Sequence, residues 1–482
     1  MKFMKKSLGL ALMSVLLFAC SNNDSIDEKT QNSNSNTYAG ISISVPGAAS
    51  ARASLKDVWS GRDKIESVHV FLVNNEKVDY TSFDTSSFTI KEGILTPNKA
   101  VVATAGDDIK AYVVLNATED LADQLKGENA ANFDVKFKEE IKKLASKISK
   151  SDKDEDLILM TNAEVPSLTI APKVSQDKAI SGVGNQIQVK VERVVARAIM
   201  TQSTAIASKI DVKNSKGDVV SQIEVTELTY AVGLSNNSFF GMKKSDLETP
   251  NYTYIPVNTP WSDEVVNKYD FSGLKQFTKV SKIESSVADN IKKALKEEAV
   301  SKFVLPVTHG EANYRKGNTT YFEVRAKFKP SAALADTKAE YTEGSDLFLG
   351  MTDGKFYADE TAAINAVKGG QKVRAYRKGV MKYVLWLNPN VTPGSEVDQT
   401  KTKTSPTVRN QVYHVHITGF KEIGLPYNPL DPTKPTEPGT EDPGNPIDPT
   451  DPLELDKTYL SVKISVLDWG LNSYDMDLGN DY

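Results

Sequence analysis

The sequence predicts a mainly β protein: two tandem β-sandwich domains with one inserted helix each, plus a separate C-terminal strand. Three observations predict it. Short apolar stretches alternate with polar residues at period two and are set apart by turn signals along most of the chain. Only two stretches show the three-and-four spacing of an amphipathic helix. A proline-rich segment then separates one last alternating stretch from everything before it.

The bulk numbers are ordinary for a soluble globular protein of more than one domain. There are 482 residues, 39% hydrophobic and 25% charged, with a formal net charge of -5. That is enough length for two or three domains. The mild negative charge argues against a nucleic-acid partner, which calls for a basic face. Cys20 is the single cysteine, so no intramolecular disulfide is available.

The N-terminus reads as a targeting segment, 1–19. Lys2, Lys5 and Lys6 precede an apolar run from Leu8 to Phe18, too short to span a membrane. It ends in Leu17-Phe18-Ala19-Cys20, a small residue before the lone cysteine, which has the form of a bacterial lipobox. Lipidation of Cys20 is therefore expected. A polar leash from Ser21 to Asn36 follows, with the composition of a disordered segment.

Tyr38 to Val45 is the first strand, with Ile41, Ile43 and Val45 alternating with Ser42 and Ser44. A run of small residues after it carries Arg52 and Ala53; composition alone favours a plain loop with a surface arginine, and such a loop also presents Arg52 to a protease. Strands are expected at Ile65 to Val73, Ile109 to Leu115, Leu157 to Met160, Ile187 to Val195 and within Val219 to Val232. Phe133, Phe137, Ile141, Leu144 and Ile148 predict a helix over Phe133 to Ser149. These elements make a first domain over 53–234. A second, 235–425, opens on a polar and aromatic crossing and a helix from Ser286 to Val300. Its strands are expected at Thr320 to Phe328, Lys372 to Tyr376, Lys382 to Leu387 and Val412 to Ile417.

The tether, 426–456, holds nine prolines between Pro426 and Pro452. As a stiff polyproline-like spacer it would reach roughly 80 Å at about 3.1 Å per residue. Beyond it, 457–482 alternates again. Leu460, Val462, Ile464 and Val466 share one face, and Tyr474, Met476 and Leu478 repeat the pattern. A lone strand with an apolar face leaves that face and its backbone unsatisfied, so it must join a sheet, on its own body or on another molecule.

Motifs for chemistry are sparse. His414 and His416 lie at i, i+2, a spacing that can bind zinc, but no third ligand accompanies them. Asp152, Asp154, Glu155 and Asp156 form an acidic loop without the glycine and terminal glutamate of an EF-hand, and read as solvated. Gly182-Val183-Gly184 has Ile187 where a dinucleotide fingerprint needs its third glycine. No catalytic constellation, metal site or cofactor is expected.

These pieces resemble the fimbrillins of Bacteroidales, shaft subunits of protease-assembled (type V) pili, and within them the major subunits of minor, or short, fimbria. The resemblance rests on VERVVARAIM (Val191 to Met200), RKGNTTYFEVRAKF (Arg315 to Phe328), YVLWLNP (Tyr383 to Pro389), VRNQVYHVHI (Val408 to Ile417), the tether and LSVKISVLDWGLNSYDMDL (Leu460 to Leu478). It implies transthyretin-like sandwiches and a precursor carried to the outer membrane on a lipid anchor. It further implies that an arginine-specific, gingipain-type protease cuts between Arg52 and Ala53 and so removes propeptide 20–52 with its first strand. The tail of another copy would then fill the vacated groove, with Leu460, Val462, Ile464, Val466, Trp469, Tyr474, Met476 and Leu478 as donor residues. The implied partners are further copies of the chain, accessory and anchor fimbrial subunits, and receptors on host cells and bacteria. The alternative class is a surface glycan-binding lipoprotein, whose signs would be helical repeats and an aromatic platform.

Overall fold

The structure, a computed structural model, describes residues 37–46, 61–152, 154–257, 263–387, 407–427, 430, 450–453, 460–468 and 473–477. These described residues fall within one compact unit.

Strands dominate, as the alternation predicts. The first large sheet runs in the order Val78–Asp84, Ser67–Val73, Gly106–Leu115, Met160–Asn162, Gln186–Arg193, Thr37–Ser44, Ile94–Pro97, Phe88–Lys91. Two of these strands are buried on both faces. Val68, Val70 and Leu72 enter one core, while Phe71 and Val73 enter another. Ile109, Ala111 and Val113 divide from Tyr112 and Val114 in the same way. This is why their sequences read as continuous apolar runs rather than strict alternation.

A second pair of sheets encloses its own core. Ala196–Ser203 lies beside Gln411–Phe420, and opposite them Lys209–Lys213, Val219–Gly233, Tyr321–Pro330 and Val380–Trp386 follow in order. Ala198, Met200, Tyr230, Phe322, Val324, Tyr413 and Val415 meet between them. By pairing, the strands from Ala196 onward belong with the C-terminal half. The sheets therefore divide at Val194 and Val195, earlier than the boundary after Leu234 that the spacing suggests. No proline or glycine marks that crossing, so the sequence reads straight through it.

Helix is more plentiful than one per domain, with seven α-helical segments among the described residues. The expected helix from Phe133 to Ser149 is broken. Helix Ala130–Lys138 ends at an extended Glu139, Glu140–Ile141 pairs with Phe239–Phe240, and one turn follows at Ala145–Ile148. Apolar spacing alone does not reveal that Phe239–Phe240 offers a competing backbone partner. The second expected helix is present as Ala288–Glu297, burying Ile291, Ala294 and Leu295.

The two halves meet over a third core and a buried ionic cluster. Phe133, Phe137 and Leu121 pack there with Val195, Ile199, Leu295 and Val412. Within this junction Arg197 and Asp156 are both fully buried and lie 3.0 Å apart. Arg197 also reaches Glu298 at 2.7 Å, and Arg62 reaches Asp156 at 3.1 Å. Ser151 and Ser301 donate further bonds to Asp156 at 2.6 and 3.1 Å. Arg193 pairs with Asp63 beside it. Asp156 is thus no solvated loop residue. Its strand, Glu155–Ile158, alternates, and the alternation turns Asp156 inward onto two guanidinium groups.

Candidate functional site

The site is the seat of the first strand, Thr37–Ser44, here called the leader strand. It is an interior strand, not an edge. On one side it pairs in parallel with Gln186–Lys190, Ile41 facing Ile187 and Ile43 facing Val189. On the other it pairs antiparallel with two strands, Ile43 opposite Leu95 and Tyr38 opposite Val102. Ile41, Ile43 and Val45 point into the core, as the alternation predicts, and Ala39 completes the inward row. The three branched side chains contribute about 5–9 kcal/mol gross through burial.

Features that alternation does not signal hold the two ends. Thr37 is fully buried. Its hydroxyl donates to the Ala171 carbonyl at 2.8 Å and accepts from the Val174 N–H at 3.0 Å. Asn185 braces the same point: its amide donates to the Tyr38 carbonyl at 3.0 Å, and its oxygen accepts from Ala171 N–H at 2.8 Å. At the far end the Val45 N–H donates to Gly93 at 3.0 Å. Between them Gly40 lies under a lid. A Cβ there would sit 2.4 Å from the Ala179 carbonyl oxygen, at the end of helix Gln176–Ile180. The Gln186 side chain closes the lid by donating to that oxygen at 2.7 Å. A glycine inside an alternating strand is the one sequence sign of such a close approach.

The tail occupies a different place. Leu460–Asp468 pairs antiparallel with Gln411–Phe420 of its own chain, placing Val462, Ile464 and Val466 opposite Ile417, Val415 and Tyr413. Those three partners belong to the C-terminal core. Ser473–Asp477 folds back on it, with Tyr474 opposite Val466 and Met476 opposite Ile464. Both ends of the tether are fastened to the body, so it is not a free spacer at its margins. Tyr321 donates to the Leu430 carbonyl at 2.8 Å, and the Lys316 N–H donates to the Asp451 carbonyl at 3.0 Å. Cys20, Arg52, Ala53, Trp469 and Leu478 lie outside the described residues.

His414 and His416 both bond one threonine. The Thr201 hydroxyl bonds His414 Nε2 at 2.8 Å and His416 Nδ1 at 2.9 Å. Burial, with the neighbouring His416 second, pushes His414 down to about 3. Among the described residues no cluster of three or more potential ligands is present.

The body is mainly β, with its N-terminal strand inside a sheet and its C-terminal strand beyond a proline-rich segment. The family described as "Major fimbrial subunit protein type IV, Fimbrillin, C-terminal" matches residues 374–475. Two minor fimbrium subunits Mfa1 of Porphyromonas gingivalis are 31% and 32% identical to the chain over 517 aligned residues. The alignments cover 99% of it and 100% of each relative. The chain belongs to this family of fimbrial subunits. Among solved structures, a fimbrilin (FimA) of Porphyromonas gingivalis W83 aligns over 90% of this chain and 98% of its own, at 12% identity and a TM-score of 0.44.

Proposed function

We propose that the chain is the shaft subunit of a cell-surface fimbrium, made as an outer-membrane lipoprotein through Cys20, activated by cleavage after Arg52 and polymerised by strand exchange. The observation that carries this reading is the interior position of the leader strand. Removing an edge strand costs a sheet little. Removing an interior one strands unpaired backbone groups on both flanks and opens an apolar trough, a site that only another strand satisfies.

While the leader is covalently attached, its high effective concentration keeps it in the seat. Cleavage after Arg52 makes it a separate ligand. Arg62 and Asp63, just beyond the cut, are tied to Asp156 and Arg193 in the buried junction, which holds the new N-terminal side of the body in place as the leader departs. The tail, paired on its own chain before assembly, then passes to the next subunit. Such a head-to-tail contact does not close on itself and yields a filament. On this reading the partners are copies of the chain, accessory and anchor subunits, an arginine-specific gingipain-type protease, and receptors on host cells and other bacteria.

The test is electron microscopy of purified protein before and after an arginine-specific protease, with Arg52→Ala alongside. Fibres are expected only from the cut wild-type chain, with Ala53 as its new first residue. Fibres from the Arg52→Ala chain, or none from wild-type protein cut at that point, would remove the proposal.

A further inference from the structure

We infer that the tail is a near-copy of the leader strand and enters the emptied seat in the leader's own direction and register, with Thr458 taking the place of Thr37 and Val466 that of Val45. The inference rests on the strand exchange proposed above and specifies its geometry.

The leader reads TYAGISISV from Thr37 to Val45, and the tail reads TYLSVKISV from Thr458 to Val466. Five of the nine positions are identical, and they include both ends. The inward row Ala39, Ile41, Ile43, Val45 becomes Leu460, Val462, Ile464, Val466. The clasp is matched as well. Thr37 is held because its hydroxyl both donates, to Ala171, and accepts, from Val174. Thr458 brings the same group to the same place.

Other placements fail on this structure. A slip of one residue turns the aliphatic row out of the core. A slip of two in either direction puts the bulkier Tyr459 or Lys463 at the Gly40 position, where even the small Ser461 of the inferred register crowds the Ala179 carbonyl. Reversing the strand while keeping the four aliphatic residues inward puts Asp468 at the clasp. A carboxylate only accepts, so it cannot donate to Ala171, and its charge would be buried there. In the inferred register Lys463 falls at Ser42, which is partly exposed, so its ammonium reaches water.

Two differences then acquire meaning. Ser461 replaces Gly40, so helix Gln176–Ile180 and the Gln186 side chain must give way when the tail enters. Leu460 replaces Ala39 and adds aliphatic volume to the inward row. The two ligands are otherwise close equivalents. The direction of exchange is therefore set by cutting the leader's tether rather than by a much stronger donor.

The register is read by cross-linking. Ser44 of the leader lies opposite Ile94, so the inference puts Ser465 of the incoming tail opposite Ile94 of the acceptor. A full chain carrying Cys20→Ser, Ile94→Cys and Ser465→Cys, cut with an arginine-specific protease and oxidised, is expected to give a ladder of multimers that a reductant collapses. Ile94→Cys with Lys463→Cys or Leu467→Cys, two residues off, is expected to give none. In the chain without added cysteines, Thr458→Val is expected to slow fibre growth about tenfold through the lost clasp bonds, and Ser461→Gly to speed it. Fibres that cross-link equally at 463 or 467, or that never cross-link at 465, would overturn the register and leave strand exchange standing. Failure of the cut wild-type chain to form fibres would remove strand exchange, and this inference with it.

Discussion

Ile43→Ala in the leader strand is expected to weaken the leader's hold without disturbing the seat. Ile43 is fully buried, facing Val189 on one flank and Leu95 on the other. Removing three carbons there costs about 2–5 kcal/mol, the range for isoleucine truncation in a core. Ile43→Val should cost about 0.5–1.5 kcal/mol. Once the tether is cut, the loss falls on the leader's dissociation. Since about 1.4 kcal/mol is tenfold, release should speed at least roughly thirtyfold for alanine and a few-fold for valine. The assay cuts the purified precursor with an arginine-specific protease and follows the leader fragment by size exclusion and mass spectrometry. The lag before fibres appear is measured in parallel. The lag should shorten in the order wild type, valine, alanine, because the seat itself is unchanged. Equal release rates across the three chains would show that the inward row does not hold the leader, and the reasoning from burial would fail.

Three further outcomes are expected. Ile464→Asp should block polymerisation, because a carboxylate on the apolar row is desolvated without a partner at a cost of several kcal/mol; Lys463→Asp, one pleat away, should assemble nearly normally, and equal behaviour of the two in fibre yield would mean that alternation does not set the tail's register. Asp156→Asn should lower stability by about 3–5 kcal/mol, since Arg62 and Arg197 lose their shared carboxylate inside the junction, whereas the exposed Asp154→Asn should stay within about 0.5 kcal/mol; denaturant melts compare them. The held-neutral His414 should make stability acid-sensitive: its contribution is complete above about 6.5 and falls as pH drops toward 3, because only the unfolded chain takes up the proton. Thermal melts across that window should show the loss, and His414→Gln should flatten it.

The local faces of strands were legible in the sequence. Alternation located the leader, Thr320 to Phe328 and Val412 to Ile417, because each of these strands presents a regular inward row that period two reports directly. The helix at Ala288–Glu297 was equally plain, since its apolar stripe repeats at helical spacing. The lone cysteine, the small-residue run around Arg52 and the proline tether were compositional signals and needed no fold to be noticed. What periodicity does not carry is the identity of the partner.

Only the tertiary structure decided that the leader is an interior strand, because that depends on Gln186–Lys190 and Ile94–Pro97 arriving from far along the chain on its two sides. It decided that Asp156 is the hub of a buried ionic cluster, since Arg62, Arg197 and Ser301 converge on it from widely separated segments. It shows the tail paired with Gln411–Phe420 of its own chain, a partner that alternation does not name. It also decided that Gly40 sits beneath Ala179 and Gln186. The physical reason is common to all four. Sequence pattern fixes which way a side chain points, a local property of backbone geometry. What it meets there is set by contacts between distant segments, which form only when the whole chain has folded.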